Sequence, residues 1–288
     1  MVYTTNTMTI PNHDSLCNPA SISLASSPCT VPGWTDPNSR PVVELLPDGY
    51  TVVIRDDLLL GGTKVRALDY LIGHDPDHAH ITEWAYGSSP AHGYAQWALG
   101  LVCLRYHKQA HVFMAARAMD KLHRLQTLGL ACPATTYHWI PNGMLSVTQK
   151  RARDYVTESP QTRALLPLGG NAPTAVSALT QVCASLILPF VPDTIWSVLS
   201  SGTLSRALQG AFPCANVYGV TVGHTPTAEE AGRAVLVKSS YRFDASVRAA
   251  DAPPFPSAPT YDAKVWPCYL TWRQSHPKAR VLIWNVGA

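Results

Sequence analysis

Lys64 follows Gly61, Gly62 and Thr63 in the stretch "RDDLLLGGTKVRALDYLI" (55–72), and a helical pattern of apolar residues begins directly behind it. A lysine in the first turn of a helix sits against the positive end of the backbone dipole, which disfavours its protonated form. An amine placed there tends towards a lowered pKa, the condition under which it acts as nucleophile or base. An exposed lysine at a helix start is the ordinary alternative. The GxxxxGK[ST] spacing of a phosphate-binding P-loop is absent. Three more stretches put hydroxyls and glycines at strand-to-helix junctions. "YGSSPAHGYAQWAL" (86–99) carries Ser88, Ser89, His92 and Gly93, where hydroxyls and free backbone N–H groups suit a carboxylate or phosphate. A plain serine cap with a proline just inside the helix would look the same. "LLPLGGNAPTAVSAL" (165–179) places Gly169 and Gly170 at the end of an apolar strand. "WSVLSSGTLSRAL" (196–208) leads Ser200, Ser201, Gly202 and Thr203 into a helix, a phosphate cradle by the same backbone physics.

These junctions need an alternating scaffold, and the chain has one. Strand candidates are 50–54, 81–86, 110–116, 163–168, 194–200, 216–223 and 280–286, several of them continuous apolar runs. Helix candidates fall between them at 64–72, 92–106, 117–129, 144–157, 172–188 and 203–211. Such alternation implies an α/β fold with mostly parallel sheets flanked by helices, whose ligands bind beyond the strand C-terminal ends. Residues 1–40, rich in Ser, Thr, Asn and Pro, read as an N-terminal arm. The stretch "DAPPFPSAPTYDAKVWP" (251–267) reads as a long structured loop punctuated by aromatics.

Bulk properties exclude several classes. With 46% apolar and 14% charged residues among 288, the chain can form a large core, and disorder over most of its length is not expected. A net charge of +3 is too small for a dedicated nucleic-acid binder. The seven cysteines show no CxxC spacing and read as reduced thiols. The clustered histidines of "HDPDHAH" (74–80) read as a solvated turn, with no metal expected. No apolar run approaches the roughly 20 residues of a membrane helix, and the N-terminal stretch lacks a signal-peptide layout. A soluble, cytoplasmic protein is expected.

Taken in order, the motifs resemble the fold type II (tryptophan-synthase-β-like) enzymes of pyridoxal 5'-phosphate (PLP). The nearest branch is that of 1-aminocyclopropane-1-carboxylate deaminase and D-cysteine desulfhydrase. "GGTKVRALDYLI" is similar to that branch's GGNKxRKLEYLI, whose lysine holds PLP as a Schiff base. "SPAHGYA" is similar to SGNHGQA, which grips the substrate carboxylate. "GGN" and "SSGTLSRAL" fall where the family has a glycine turn and its phosphate loop. "PTYDAKVW" (259–266) is similar to VYEGKS, whose tyrosine faces the substrate and whose acid meets the pyridine nitrogen. The resemblance spans roughly residues 50 to 287. Three positions depart from the pattern: Thr63 replaces an asparagine, Ala67 a basic residue, and Ala91 the asparagine that supports the cofactor's 3'-oxygen.

The resemblance implies a two-domain enzyme: 41–85 plus 161–288 as a large PLP-binding domain, and 86–160 as a small inserted domain closing over the substrate. It implies Lys64, Tyr261 and Asp262 as catalytic residues. Lys64, Gly169, Gly170, Ser200, Ser201, Gly202, Thr203 and Asp262 would bind the cofactor. Ser88, Ser89, His92 and Tyr261 would bind the substrate. The expected activity is that of a PLP-dependent lyase at the α-carbon of an amino-acid group, by deamination, elimination or decarboxylation. Compact relatives occur in phages that hypermodify thymidine. That sharpens the expectation to α-carbon cleavage on an amino-acid-modified base, with transient DNA contact in a host cytoplasm. A small-molecule deaminase or desulfhydrase and a non-catalytic PLP-binding protein are the alternatives. A homodimer follows from the resemblance alone.

Overall fold

Val52, Val53 and Ile54 are completely buried, as a run of β-branched residues must be when its strand is covered on both faces. The computed structural model describes residues 31–88, 91–141 and 143–288. In chain order the strands are β1 (Val43–Leu45), β2 (Thr51–Arg55), β3 (Glu83–Gly87), β4 (Gln109–Ala115), β5 (Thr135–Ile140), β6 (Arg163–Leu165), β7 (Thr194–Leu199), β8 (Asn216–Thr221), β9 (Val235–Lys238) and β10 (Val281–Asn285). The helices are α1 (Thr63–Gly73), α2 (Tyr94–Arg105), α3 (Arg124–Leu130), α4 (Leu145–Thr157), α5 (Pro173–Ala184), α6 (Thr203–Ala211), α7 (Ala228–Ala231) and α8 (Val265–Arg273).

Two sheets result. The larger runs β1-β2-β10-β7-β8-β9 and is parallel except for the β1–β2 edge pair; the smaller runs β5-β4-β3-β6 and is parallel throughout. The chain leaves the larger sheet after β2, builds the smaller one, and returns at β7. Both β3 and β6 belong to the smaller sheet, so its strands extend slightly beyond the 86–160 segment expected from the sequence.

Helix α1 joins the two cores. Its Ala67 packs with Leu179 of α5 and Leu204 and Leu208 of α6 beneath the larger sheet. Its Val65, Leu68, Leu71 and Ile72 pack with Ala98 and Leu99 of α2 against Trp84 of the smaller sheet. Each fully buried leucine in such a seam contributes roughly 1.5–3 kcal/mol. The helix start carrying Lys64 is thus gripped from both sides.

Some boundaries differ from the sequence expectation. The helix expected over 117–129 begins only at Arg124, because Ala118 is extended and His123 closes a capping box with Gln126. The helix expected to reach 188 ends at Ala184, short of Pro189. The loop expected over 251–267 turns helical from Val265. The proposed arm lies outside the described residues up to 30. Beyond that point Trp34 is buried, and its indole N–H donates to Asp69 at 3.0 Å. Among the described residues, no helix is long and apolar enough to cross a membrane.

One face of the smaller sheet carries a polar chain under α4. The Tyr155 hydroxyl donates to Glu83, so the neighbouring His111 Nε2, 3.0 Å away, is the donor to that oxygen. Neutral His111 then accepts at Nδ1 from His138 Nε2–H, also at 3.0 Å. Arg163 completes the row on Glu83 at 2.9 Å. Burial lowers the pKa of both imidazoles, and the mutual repulsion of their charged forms lowers that of His111 further. The unfolded chain therefore takes up protons that the folded chain refuses. Stability from this source is full above the ordinary histidine pKa of about 6.5 and is lost as pH falls below it, towards the folded values. Glu83, lowered by its bond from Tyr155, adds a loss only in the carboxylate range. Thermal melting from about pH 7.5 to 5.5 should show a falling midpoint, with a shallower fall in His138→Phe. A flat wild-type profile would exclude the assignment.

Candidate active site

The C-terminal ends of the strands in both sheets border one cavity of about 670 Å³. Lys64 lies on its wall. The turn before it requires glycine: Gly62 has φ +64°, and a Cβ there would overlap the Val286 carbonyl oxygen at the end of β10. That same oxygen accepts the Thr63 N–H at 3.1 Å, so strand β10 caps the first turn of α1. Thr63 Oγ1 donates to Asp56 at 2.9 Å and accepts the Trp284 indole N–H at 2.8 Å. Arg66, one turn along, bonds both oxygens of Asp56. This buried lattice fixes the direction in which Lys64 leaves the helix. The ammonium donates to the Gly169 carbonyl, and burial pushes its pKa down to about 8.

Opposite the lysine stands the start of α6. The N–H groups of Thr203, Leu204 and Ser205 precede the first intrahelical bond, which Arg206 N–H makes to Gly202 O at 2.8 Å. Gly202 has φ +75°, and a Cβ there would overlap the Glu230 carbonyl, so the loop can approach only without a side chain. Ser201 Oγ and Thr203 Oγ1 are 3.1 Å apart, and both reach the Gly169 carbonyl, at 3.5 and 3.4 Å. Ser200, Ser201, Gly202, Thr203 and Ser205 all border the cavity. With the helix dipole behind them, these groups form an anion cradle. Of the glycine pair, Gly169 borders the cavity, whereas Gly170 is buried against Leu68.

The third wall comes from the smaller sheet. His92 and Gly93 border the cavity just before α2, whose N-terminus has no side-chain cap. Gln96 holds this loop by donating to the Ala91 carbonyl at 2.7 Å. Ser88 does not reach the wall; it is buried, whereas Tyr86, two residues earlier, borders the cavity. Ser89 lies outside the described residues. Tyr261 borders the cavity, as Ser200 does; burial raises its pKa, as it does that of Tyr86.

Asp262 stands elsewhere. Its side chain borders a separate small void with Phe255 and Trp266, one layer behind the cavity wall at Val286. Both carboxylate oxygens are buried without a hydrogen-bond partner; the N–H groups of Val286 and Gly287 face the carboxylate without closing a bond. Burial raises its pKa well above the carboxylate range, and the adjacent Asp57 adds to this. Tyr86, Tyr94, Arg117, Ser205, His224 and Phe243 also border the cavity but were not singled out in the sequence. Tyr86 reads as strand core, and Arg117 falls inside a helix pattern that the chain does not follow.

No protein-family model matches the sequence, and no curated protein matches it. Solved structures do. A structure described as an ACC deaminase homologue superposes with a TM-score of 0.69 over 86% of this chain and 89% of its own, at 16% identity. The chain has the fold type II architecture. A fungal L-serine ammonia-lyase from Rhizomucor miehei gives 0.66 over 87% and 94% of the two chains, at 10% identity. A pyridoxal 5'-phosphate-dependent aspartate racemase gives 0.59 over 87% and 90%, also at 10%. At these identities the likeness is one of fold, and the chemistry must be argued from the fold type II cavity itself.

Proposed function

We propose that the chain is a PLP-dependent lyase acting at the α-carbon of an amino-acid group, by deamination or elimination. The observation that carries this reading is the convergence of a desolvated lysine and a hydroxyl-lined helix N-terminus on one cavity. The donor set fits the cofactor. Backbone N–H groups of α6 with the Ser200, Ser201, Thr203 and Ser205 hydroxyls suit a phosphate monoester, and an amine with a pKa of about 8 suits an aldehyde. The structural neighbours support it: one is named an L-serine ammonia-lyase and another is named as PLP-dependent.

When bound, PLP supplies the electron sink for charge developing at the α-carbon. The protein's own part is placement and proton transfer. The first-turn N–H groups of α2, with His92, would hold the substrate carboxylate. Lys64, released from its bond to Gly169, would take or return the proton at the α-carbon. Tyr261 and Tyr86, kept protonated by burial, would donate hydrogen bonds towards a departing group. Asp262 is left out of the set that touches ligand, because its carboxylate does not reach the cavity wall. Closure would bring the smaller sheet, with its His92 loop, towards Lys64.

A narrower reading concerns the size of the substrate, which the cavity of about 670 Å³, shared with the cofactor, leaves to the turnover test. On that reading the amino acid is carried on a thymidine base, and the cleavage includes loss of the α-carboxylate. The first test is the absorbance spectrum of the full-length protein incubated with PLP. A band near ~410–430 nm that borohydride removes is expected of a lysine Schiff base. Turnover of free amino acids against amino-acid-conjugated thymidine then selects the substrate. A protein that takes up no PLP sinks the proposal, and one that binds PLP yet turns over neither substrate class is a binder rather than a lyase.

A further inference from the structure

Arg117 follows β4 at the C-terminal end of the smaller sheet and borders the cavity. Arg66 is engaged with Asp36 and Asp56, Arg163 with Glu83 and Arg206 with Asn171, while Arg124 at the start of α3 does not border the cavity. Arg117 is exposed, and among the described residues no oxygen atom accepts a hydrogen bond from it. Its planar guanidinium keeps five donors in a fork that matches a carboxylate or a phosphate.

Two imidazoles lie within reach of its field. His123 Nδ1 accepts the Leu125 N–H at 3.2 Å to cap α3; its exposed ring stands outside the cavity wall. The His92 ring centre is 6.2 Å away from that of His123. Burial, followed by neighbouring positive charge that includes Arg117, lowers the pKa of both. Asp244 also borders the cavity, but its carboxylate lies 3.7 Å from Arg242 and forms no ion pair with Arg117. This rim is distinct from the α6 cradle, which follows β7 in the other sheet. One end of the cavity thus carries a guanidinium that no acceptor among the described residues engages, the Asp244 carboxylate being directed to Arg242 instead.

We propose that this end is a second anion subsite: the substrate is an amino acid whose far end carries a carboxylate or a phosphate monoester, held by the Arg117 guanidinium. The inference rests on the amino-acid chemistry proposed above and adds the charge of the side chain. Charge-assisted bonds of this kind correspond to about tenfold to hundredfold in affinity.

The test uses the full-length, PLP-loaded protein with four probes: O-phospho-L-serine and L-aspartate, and their uncharged counterparts L-serine and L-asparagine. The wild type should favour the charged members by about tenfold or more in Kd or kcat/KM. Arg117→Ala should collapse that ratio, and Arg117→Lys should keep part of it. Whether O-phospho-L-serine or L-aspartate shows the larger ratio separates phosphate from carboxylate as the natural group. Two results would overturn the subsite: no charge preference in the wild type, or an equal loss for charged and uncharged probes in Arg117→Ala. The second would place Arg117 on the α-carboxylate instead. Calorimetry with the same probes on protein without added PLP repeats the ratio independently. Failure to take up PLP would then count against the cofactor reading, while the calorimetric ratio still decides on Arg117.

Discussion

Lys64→Ala is expected to lose at least about a thousandfold in turnover of any amino-acid substrate, since acid–base catalysis alone supplies about 10²–10⁴. The absorbance band should vanish with it. The fold should remain, for three reasons. The side chain lies on the wall of a cavity rather than in a packed core. Ser201 and Thr203 still face the Gly169 carbonyl that Lys64 leaves. And alanine is the best helix former at the start of α1. A melting midpoint close to wild type with the band absent is the expected pair of results. The lowered pKa has a consequence that turnover does not report. Only the neutral amine attacks an aldehyde, and its share falls about tenfold for each pH unit below a pKa of about 8. Uptake of PLP by the unloaded protein should therefore quicken as pH rises towards 8 and level off above it. An uptake rate that is the same at pH 6.5 and 8 would falsify the assignment of Lys64 as the reacting amine.

Much of the site was legible because its parts are local. A glycine pair before Lys64, and Gly202 before a helix of small hydroxyl residues, are each read within a few positions, since φ and helix N-termini are local matters. The strands that carry them are continuous apolar runs, and all seven expected strands form. Three others went unread for a physical reason. β1 and β9 are edge strands of three and four residues with exposed positions, and β5 mixes Thr, Tyr and His without a clean alternation. What stayed hidden depends on distance in space. That Tyr86 borders the cavity while Ser88 stays buried off its wall depends on where the other sheet's loops lie, which no local pattern records. Asp262 next to Tyr261 reads as an active-site pair. Consecutive residues around the short turn that opens α8 diverge, and only Tyr261 faces the cavity. Arg117 was hidden by a helical pattern that His123 interrupts through its cap.

The stiffness behind Lys64 can be tested at a residue that touches no ligand. Arg66 is 1% exposed and is bonded to Asp56, itself fully buried, and to Asp36 of the N-terminal segment. Removing one partner of a buried ion pair leaves the other charge uncompensated, at a cost of about 3–5 kcal/mol. Arg66→Ala should accordingly lower the melting midpoint by roughly 10 °C in a chain of this size. Asp56→Asn should cost less, because its amide still accepts from Thr63 and from the guanidinium. The double variant should be less destabilised than the sum of the two, since it buries no orphaned carboxylate. The same lattice also aims the lysine: Asp56 holds Thr63, and Thr63 holds Trp284 at the end of β10. In Arg66→Ala, measured well below its midpoint, PLP affinity should also weaken, whereas a variant that merely melts earlier would bind as wild type does. An unchanged midpoint would mean that the pair is solvated and that packing of α1 alone positions Lys64.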